Sequence, residues 1–449
     1  SYREMTEWAL PVSQQLAYED VTHEVEHQPF WPRLKPFMRG GNWRNFKIKY
    51  SEANEMYSRM MMVSRRLQDA AQHGASGDDF NWAKQCLYRS QCNCAYWHGA
   101  FGGIYLPHLR NAIYNQLIAA ENLLDESLGK IGPRIEAQID DFNFDSLQEV
   151  KLANDKLVCL IAPGMGGQIY EFDVRSICHN LGASMTRRPE AYHRKVARGA
   201  NPENQNCASI HDRIVFKQEG LDQRLQYDAY SRKSLLDHFY PLDASRHAVE
   251  AGHAPELGDF LQGIYEAKVR KSPDRIQVLM TRDGLVAGRP IRVSKGVTAT
   301  AGSPSLEITY LLEGMDPGQP LHFSSEWNLA GLPSGLDNRY FYRGQRERLG
   351  HLGSRLELTD VQDFGLVDEW LGIDVRWTAN RPTGIWTHPV EAVSQSEGGF
   401  ELVHQSVVLQ PHWIVVPDAD GRWTVTMTLT ADTSAAEHRS ESSSHASAS

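Results

Sequence analysis

A chain of 449 residues, 41% hydrophobic and 23% charged, has the length for two or three domains around a large buried core. No run approaches the roughly 18 apolar residues that a membrane-crossing helix needs, and the opening SYREMTEWAL has neither the basic region nor the apolar stretch of a secretion signal. A net charge of −10 argues against a nucleic-acid partner, whose phosphates require a basic face.

The chain begins with Ser, already inside an amphipathic pattern, which raises the expectation that it is the later part of a longer protein. Met56, Met60, Val63 and Leu67 recur at helical spacing and predict a helix from Ser51 to about Asp69, with Ser51 as its cap. A second helix is predicted over Asp79 to Ser90. A third runs from Pro107, suited to a first turn, through Leu109, Ile113, Leu117, Ala120 and Leu124 to a stop near Gly129. Beyond Pro133 the period changes from 3.6 to 2. Leu306, Ile308, Tyr310 and Leu312 alternate with residues of another kind, and Trp423, Val425, Met427 and Leu429 alternate with threonines, as half-buried strands do. Weaker runs lie at Lys156 to Ile161, Arg275 to Met280, Arg355 to Leu358 and Glu401 to Leu409. Together they predict a large β-sandwich. The Ser/Ala-rich stretch 434–449 is expected to have no fixed structure.

The chemistry concentrates in QCNCAYWHGAFGGIYLPHLR, residues 91–110, a mixture that an ordinary core helix does not use. Trp97 stands beside Tyr96 and His98 and ahead of the Gly102-Gly103 bend, as a ring that stacks on a sugar would. Cys86, Cys92, Cys94 and His98 supply only one close ligand couple, short of a structural zinc site, and no metal or other cofactor is expected. Cys94 with His98 as base lacks a third, orienting group. The six cysteines, at 86, 92, 94, 159, 178 and 207, follow no disulfide spacing, which predicts reduced thiols and a cytoplasmic protein. Glu4 with Glu7, and Asp368 with Glu369 ahead of Trp370, read as surface or ion-paired groups, because sequence proximity does not set the separation that glycoside hydrolysis needs. The basic cluster Arg187, Arg188, Arg194, Lys195 and Arg198, with Glu190 and Glu203 close by, reads as a solvated loop.

The 91–110 segment resembles the last signature region of glycoside hydrolase family 57, in particular its 4-α-glucanotransferase and α-amylase-like members. SYREMTEWALP, GGNWRNFKIKYSEANEMYSRMMMVSRRL, YEFDVRSICHNLGASMTRRPEAYH and GFELVHQSVVLQPHW extend the resemblance to nearly the whole chain. It implies an α+β multidomain fold in which the end of an incomplete (β/α)7 barrel (1–50) and a helical middle domain (51–132) precede a large antiparallel β-sandwich of galactose-mutarotase-like type (133–433). It implies a retaining enzyme acting on α-1,4-glucans or maltooligosaccharides. Its glutamate nucleophile and aspartate acid would lie upstream of Ser1, leaving this chain inactive alone and no catalytic residue to assign within it. Carried over by position, Trp97 would stack on a glucose unit, Asn93 and His98 would line the same pocket, Trp8 would serve the acceptor side, and the Gly102-Gly103 bend would let backbone approach substrate. Cys94 departs from relatives with an aspartate there. Two alternatives stay open: a non-catalytic glucan-binding or regulatory module, and a sugar-acting sandwich whose own acid/base pair includes Glu326 or His322. A homodimer through the sandwich is compatible with the sequence.

Overall fold

The computed structural model describes residues 3–99, 101–198 and 215–447; Glu203 and Cys207 lie outside them. Helices come first: α1 (Arg3–Trp8), α2 (Val12–Val25), α3 (Trp31–Leu34), α4 (Trp43–Lys49), α5 (Ser51–Gln72), α6 (Asp78–Arg89) and α7 (Pro107–Ser127). The buried stripe of α5 (Ala53, Met56, Val63, Leu67, Ala70) and that of α7 (Ile113, Leu117, Ala120, Leu124) close a core with Ala83 and Leu87 of α6. Pro107 opens α7, as its fixed φ favours. Ser51 is not a cap. It is already helical, with Tyr50 in the cap position, and the capping box sits one helix earlier, where Asn42 Oδ1 accepts the Arg44 and Asn45 N–H groups.

Strands follow. β1 (Ile135–Asp140), β2 (Glu149–Asn154), β3 (Leu157–Ala162), β4 (Gln168–Val174) and β5 (His179–Asn180) form an antiparallel meander. After α8 (His193–Ala197) come β6 (Leu236–Tyr240), α9 (Arg246–Glu250), β7 (Glu266–Lys271), β8 (Arg275–Val286), β9 (Arg289–Thr300), β10 (Ser305–Glu313), β11 (Leu321–Ala330), β12 (Arg339–Arg343), β13 (Glu347–His351), β14 (Glu357–Asp368), β15 (Ile373–Ser396), β16 (Gly399–Val415) and β17 (Trp423–Asp432). β6–β17 join in one large antiparallel sheet. In the β10–β17 pair, Ile308 faces Met427 and Tyr310 faces Val425 on the core side, while Thr309 meets Thr426 on the other. Val150, Leu152, Ile161 and Phe172 of the small sheet pack with Val278, Val297, Tyr310 and Trp327 of the large one in a single core. The architecture is therefore helices followed by packed antiparallel sheets. The Ser/Ala-rich stretch departs from expectation. It forms α10 (Ser434–Ser447), whose first turns are tied down where Thr433 Oγ1 donates to Glu437 (2.9 Å) and Arg439 donates to the Glu369 carbonyl (2.9 Å).

The small sheet is covered on both faces, so β2, β3 and β4 are buried at every position. Its alternation survives in residue type: Leu152, Cys159 and Phe172 join the sandwich core, while Lys151, Glu171 and Asp173 meet charged groups of α5 and α7. Arg59 of α5, 1% exposed, bonds Glu171 (2.5 Å) and Asp173 (3.1 Å) on β4 and Glu121 (2.5 Å) on α7. Lys151 and Arg66 add contacts to Glu121 at 2.9 and 2.6 Å, and Arg66, Arg134 and Arg175 surround Asp125. Burial opposes charge throughout, yet Arg59, Lys151 and Arg66 together hold the Glu121 carboxyl well below its usual range.

Breaking a buried pair leaves the remaining charges uncompensated. Arg59→Met is expected to lower the unfolding free energy by about 3–5 kcal/mol in urea titrations; a loss under about 1 kcal/mol would show that the network adds nothing to docking the helices on the sheet.

Candidate functional site

Segment 91–110 forms one side of an aromatic layer above the helical core. Asn42 starts α4, whose next turns bring Trp43 and Phe46 to the same face, three residues apart. Trp43 stacks on Phe46 at 5.7 Å, and Phe46 stacks on Trp97 at 5.2 Å. Phe46 also meets Tyr50 (4.5 Å), Tyr50 meets His98 (5.9 Å), and His98 takes the edge of Trp8 (4.8 Å), which in turn lies 5.9 Å from Tyr192. Trp8 and Trp97 are half-buried and Trp43 is exposed. Trp8, Trp97 and His98 thus belong to one array, in which sequence reasoning missed Trp43, Phe46 and Tyr192. The i, i+3 spacing in NWRNF was the signal for the first two; nothing local announces Tyr192, which arrives from the sandwich side.

Two expectations change in detail. His98 has no exposed surface and lies under the layer, its Nδ1 2.8 Å from the Gly102 carbonyl. Asn93 is exposed, and its amide oxygen meets the neighbouring Cys94 thiol at 3.7 Å. The Gly102-Gly103 bend has φ of +86° and +53°, and a Cβ at Gly103 would fall 1.8 Å from the Trp97 carbonyl oxygen. Glycine is needed there because the chain folds back onto Trp97, which accepts the Ile104 N–H at 2.7 Å.

Beneath the layer sits Glu190, 2% exposed, accepting from the Tyr50 and Tyr105 hydroxyls (2.9 and 2.8 Å) with Lys49 Nζ at 3.3 Å. Burial pushes its pKa up, but the Lys49 charge and the Tyr105 hydroxyl bond help hold it below the ordinary value. The basic cluster divides: Lys195 and Arg198 are exposed and Arg194 reaches Glu19 and Asp20 at the surface, whereas Arg187 and Arg188 turn inward. Arg188 pairs with buried Glu52 (2.8 Å) and Arg187 with buried Asp228 (2.6 Å), partners far away in sequence.

Cys86 is buried while Cys92 and Cys94 are exposed, and the group of possible ligand atoms found close together among the described residues is instead His23, Glu26 and His27 on the surface. Asp368 is ion-paired with Arg339 (2.7 Å) and Glu369 with Arg348 (2.9 Å). Glu326 is fully buried, receiving Tyr230 (2.7 Å), Arg232 (3.0 Å) and Asn328 (2.6 Å), with His238 Nε2 at 3.2 Å. Against burial, Arg232 and His238 hold Glu326 well below the carboxylate range, and bonds to Glu256 and Glu326 lift His238 to about 9. Both stay charged near neutrality, which suits an ion pair and not an acid/base relay. His322 contacts His412 (3.0 Å) and the Pro241 carbonyl (3.1 Å).

A cavity of about 410 Å³ at the seam between helices and small sheet is lined by Glu55, Glu149 and Tyr170. Burial raises both carboxyls to about 7. Glu55 is 2.6 Å from Lys233, and Glu149 accepts the Phe142 and Asn143 N–H groups. No tryptophan lines this cavity.

Two family models match the chain: α-amylase/4-α-glucanotransferase, middle domain, over residues 41–124, and α-amylase/4-α-glucanotransferase, C-terminal, over 141–427. An α-amylase of Pyrococcus abyssi is 32% identical over 91% of this chain and 56% of its own length. A 4-α-glucanotransferase of Thermococcus kodakarensis is 31% identical over 91% of this chain and 55% of its own length. The crystal structure of 4-α-glucanotransferase from Thermococcus litoralis superposes with a TM-score of 0.76 at 28% identity, over 96% of this chain and 59% of that one. The chain spans a little over half the length of these relatives.

Burial depresses the pKa of His98 to about 4, so it is neutral in the fold and charges more readily once unfolded. Its contribution to stability is full above about pH 6.5 and is lost as the pH falls toward 4. The stability advantage of wild type over His98→Phe is expected to narrow by roughly 2 kcal/mol between pH 7 and 4.5 in urea titrations; a constant gap would refute a buried neutral imidazole.

Proposed function

The chain belongs to the α-amylase/4-α-glucanotransferase family, and on that premise we propose that it supplies one wall of an α-1,4-glucan cleft together with the sandwich that backs it. The indoles of Trp43 and Trp97, both stacked against the buried Phe46 ring, carry this reading. Indole faces left partly open offer flat surface to the C–H side of a pyranose, while polar groups at the rim take the hydroxyls. Trp8 extends the row past His98 on the acceptor side, and the exposed Asn93 amide supplies a rim group. Buried His98 acts beneath them as a positioning residue, clamped between Trp8, Tyr50 and the Gly102 carbonyl.

For the whole enzyme we infer retaining transfer. A carboxylate captures the glucosyl unit, and a second carboxyl serves first as acid and then as base for an incoming sugar hydroxyl or water. Stacked aromatics on the acceptor side favour sugar over water as acceptor. The carboxylate beneath this wall, Glu190, is sealed and fully bonded, which supports a role for this chain in holding and orienting glucan. The same observation favours a second reading, a glucan-binding module without chemistry. The free thiols of Cys86, Cys92, Cys94, Cys159 and Cys178 support placement in the reducing cytoplasm.

Trp97→Ala is expected to weaken maltoheptaose binding at least tenfold, read by calorimetric titration; unchanged affinity would remove the wall. Incubated with maltotriose, the chain is expected to leave its length unaltered by mass spectrometry. A ladder of longer and shorter products would instead assign catalysis to carboxyls of this chain, with Glu55 and Glu149 the first to replace.

A further inference from the structure

A second cavity, about 490 Å³, opens where the first turn of α7 meets the β14–β15 turn of the sandwich. Its rim carries Trp370, 72% exposed, whereas the other tryptophans of the large sheet are almost wholly buried. An indole left so open at a cavity mouth forgoes burial that a protein core would otherwise supply, and a ligand can recover it.

The polar groups around it have a distinct character. The Arg339 guanidinium lies 5.9 Å from the Trp370 ring and gives Nε to Asp368 (2.7 Å) and Nη1 to Asn338, leaving Nη2 without a protein partner among the described residues. Asp368 is fixed in turn by the Leu371 N–H (2.9 Å). The side-chain amide of Asn111, on α7, makes no hydrogen bond among the described residues. His179 and His404 line the interior, both lowered by burial, His404 to about 4, so neither carries charge near neutrality. Arg339 and Asp368 offset one another and the two buried imidazoles are neutral, so the interior presents no unpaired ion partner among these groups. It offers an aromatic face, an open guanidinium N–H edge and a free amide, the set that binds a neutral polyhydroxyl ring.

We propose that this cavity is a second saccharide-binding site, separate from the Trp97 wall, in which a pyranose unit of an α-glucan stacks on Trp370 while Arg339 and Asn111 donate to its hydroxyls. The site is preorganised. The turn bearing Trp370 is held from below by Asp368 and from the side by α10, through the bond from Arg439 to the Glu369 carbonyl. The choice of α-glucan rests on the reading of the Trp97 wall.

The test is affinity electrophoresis of the purified chain in native gels containing soluble amylose. Trp370→Ala is expected to raise the apparent dissociation constant at least threefold, Trp370→Phe to restore part of the loss, and the double variant with Trp97→Ala to migrate as though no glucan were present. Unaltered retardation of Trp370→Ala overturns this inference and leaves the wall standing. Retardation lost with Trp370 but untouched by Trp97→Ala overturns the wall and keeps the second site. A wild-type chain that amylose does not retard overturns both. Should Trp370→Ala melt at a lower temperature than wild type, Asn111→Ala reads the same site: weakened retardation then supports it, and unaltered retardation overturns it.

Discussion

Arg59 sets a guanidinium that is almost wholly buried among carboxylates from β4 and α7, and the relation of the two halves of the protein depends on it. An apolar helix–sheet contact is tolerant of sliding, since one methyl group replaces another at little cost. A buried ion pair is not, because displacement by even a few ångströms leaves desolvated charge without a partner. The flanking Lys151, Arg66, Arg134 and Arg175 extend the constraint along α7 to its last turn. Segment 91–110 enters α7 directly, so the position of the aromatic layer over the sandwich follows from where these charges meet.

The elements plainest in the sequence are those with one face wet, although the short apolar run at Lys156 to Ile161 also marked β3, which is buried throughout. In β10 and β17 the alternation of Leu306, Ile308 and Tyr310, and of Val425, Met427 and Leu429, marked the strands and their buried faces, while that the two are neighbours is seen only in the fold. The stripes of α5 and α7 were equally plain. β2 and β4 were not, since a strand buried on both faces loses the polar and apolar alternation that period reading needs. Arg187 and Arg188 misled for a related reason. Their partners, Asp228 and Glu52, lie tens to more than a hundred residues away, and no local pattern distinguishes an arginine that will be buried with such a partner from one that will be solvated.

Within the candidate site, the residue types were readable and their depth was not. Trp97 and Trp8 announce an aromatic surface by composition, but that His98 lies beneath it depends on the backbone closing at Gly103, a conformation fixed by contact with the Trp97 carbonyl. Trp370 shows the converse. Sequence placed it beside two acidic residues, whereas the fold adds Arg339 from β12 and Asn111 from α7, elements more than two hundred residues apart.

The double burial of β2, β3 and β4 bears on how this protein tolerates change. In the large sheet a strand such as β17 has exposed or half-exposed positions at every second residue, where substitutions are absorbed by solvent. The small sheet has no such positions over Glu149–Asn154, Leu157–Ala162 or Gln168–Val174. Each side chain there answers either to the sandwich core or to the helical layer, and each backbone shift answers to both. Variation accepted by one neighbour must be acceptable to the other, so the centre of the molecule is left with little freedom to drift while its rims diversify.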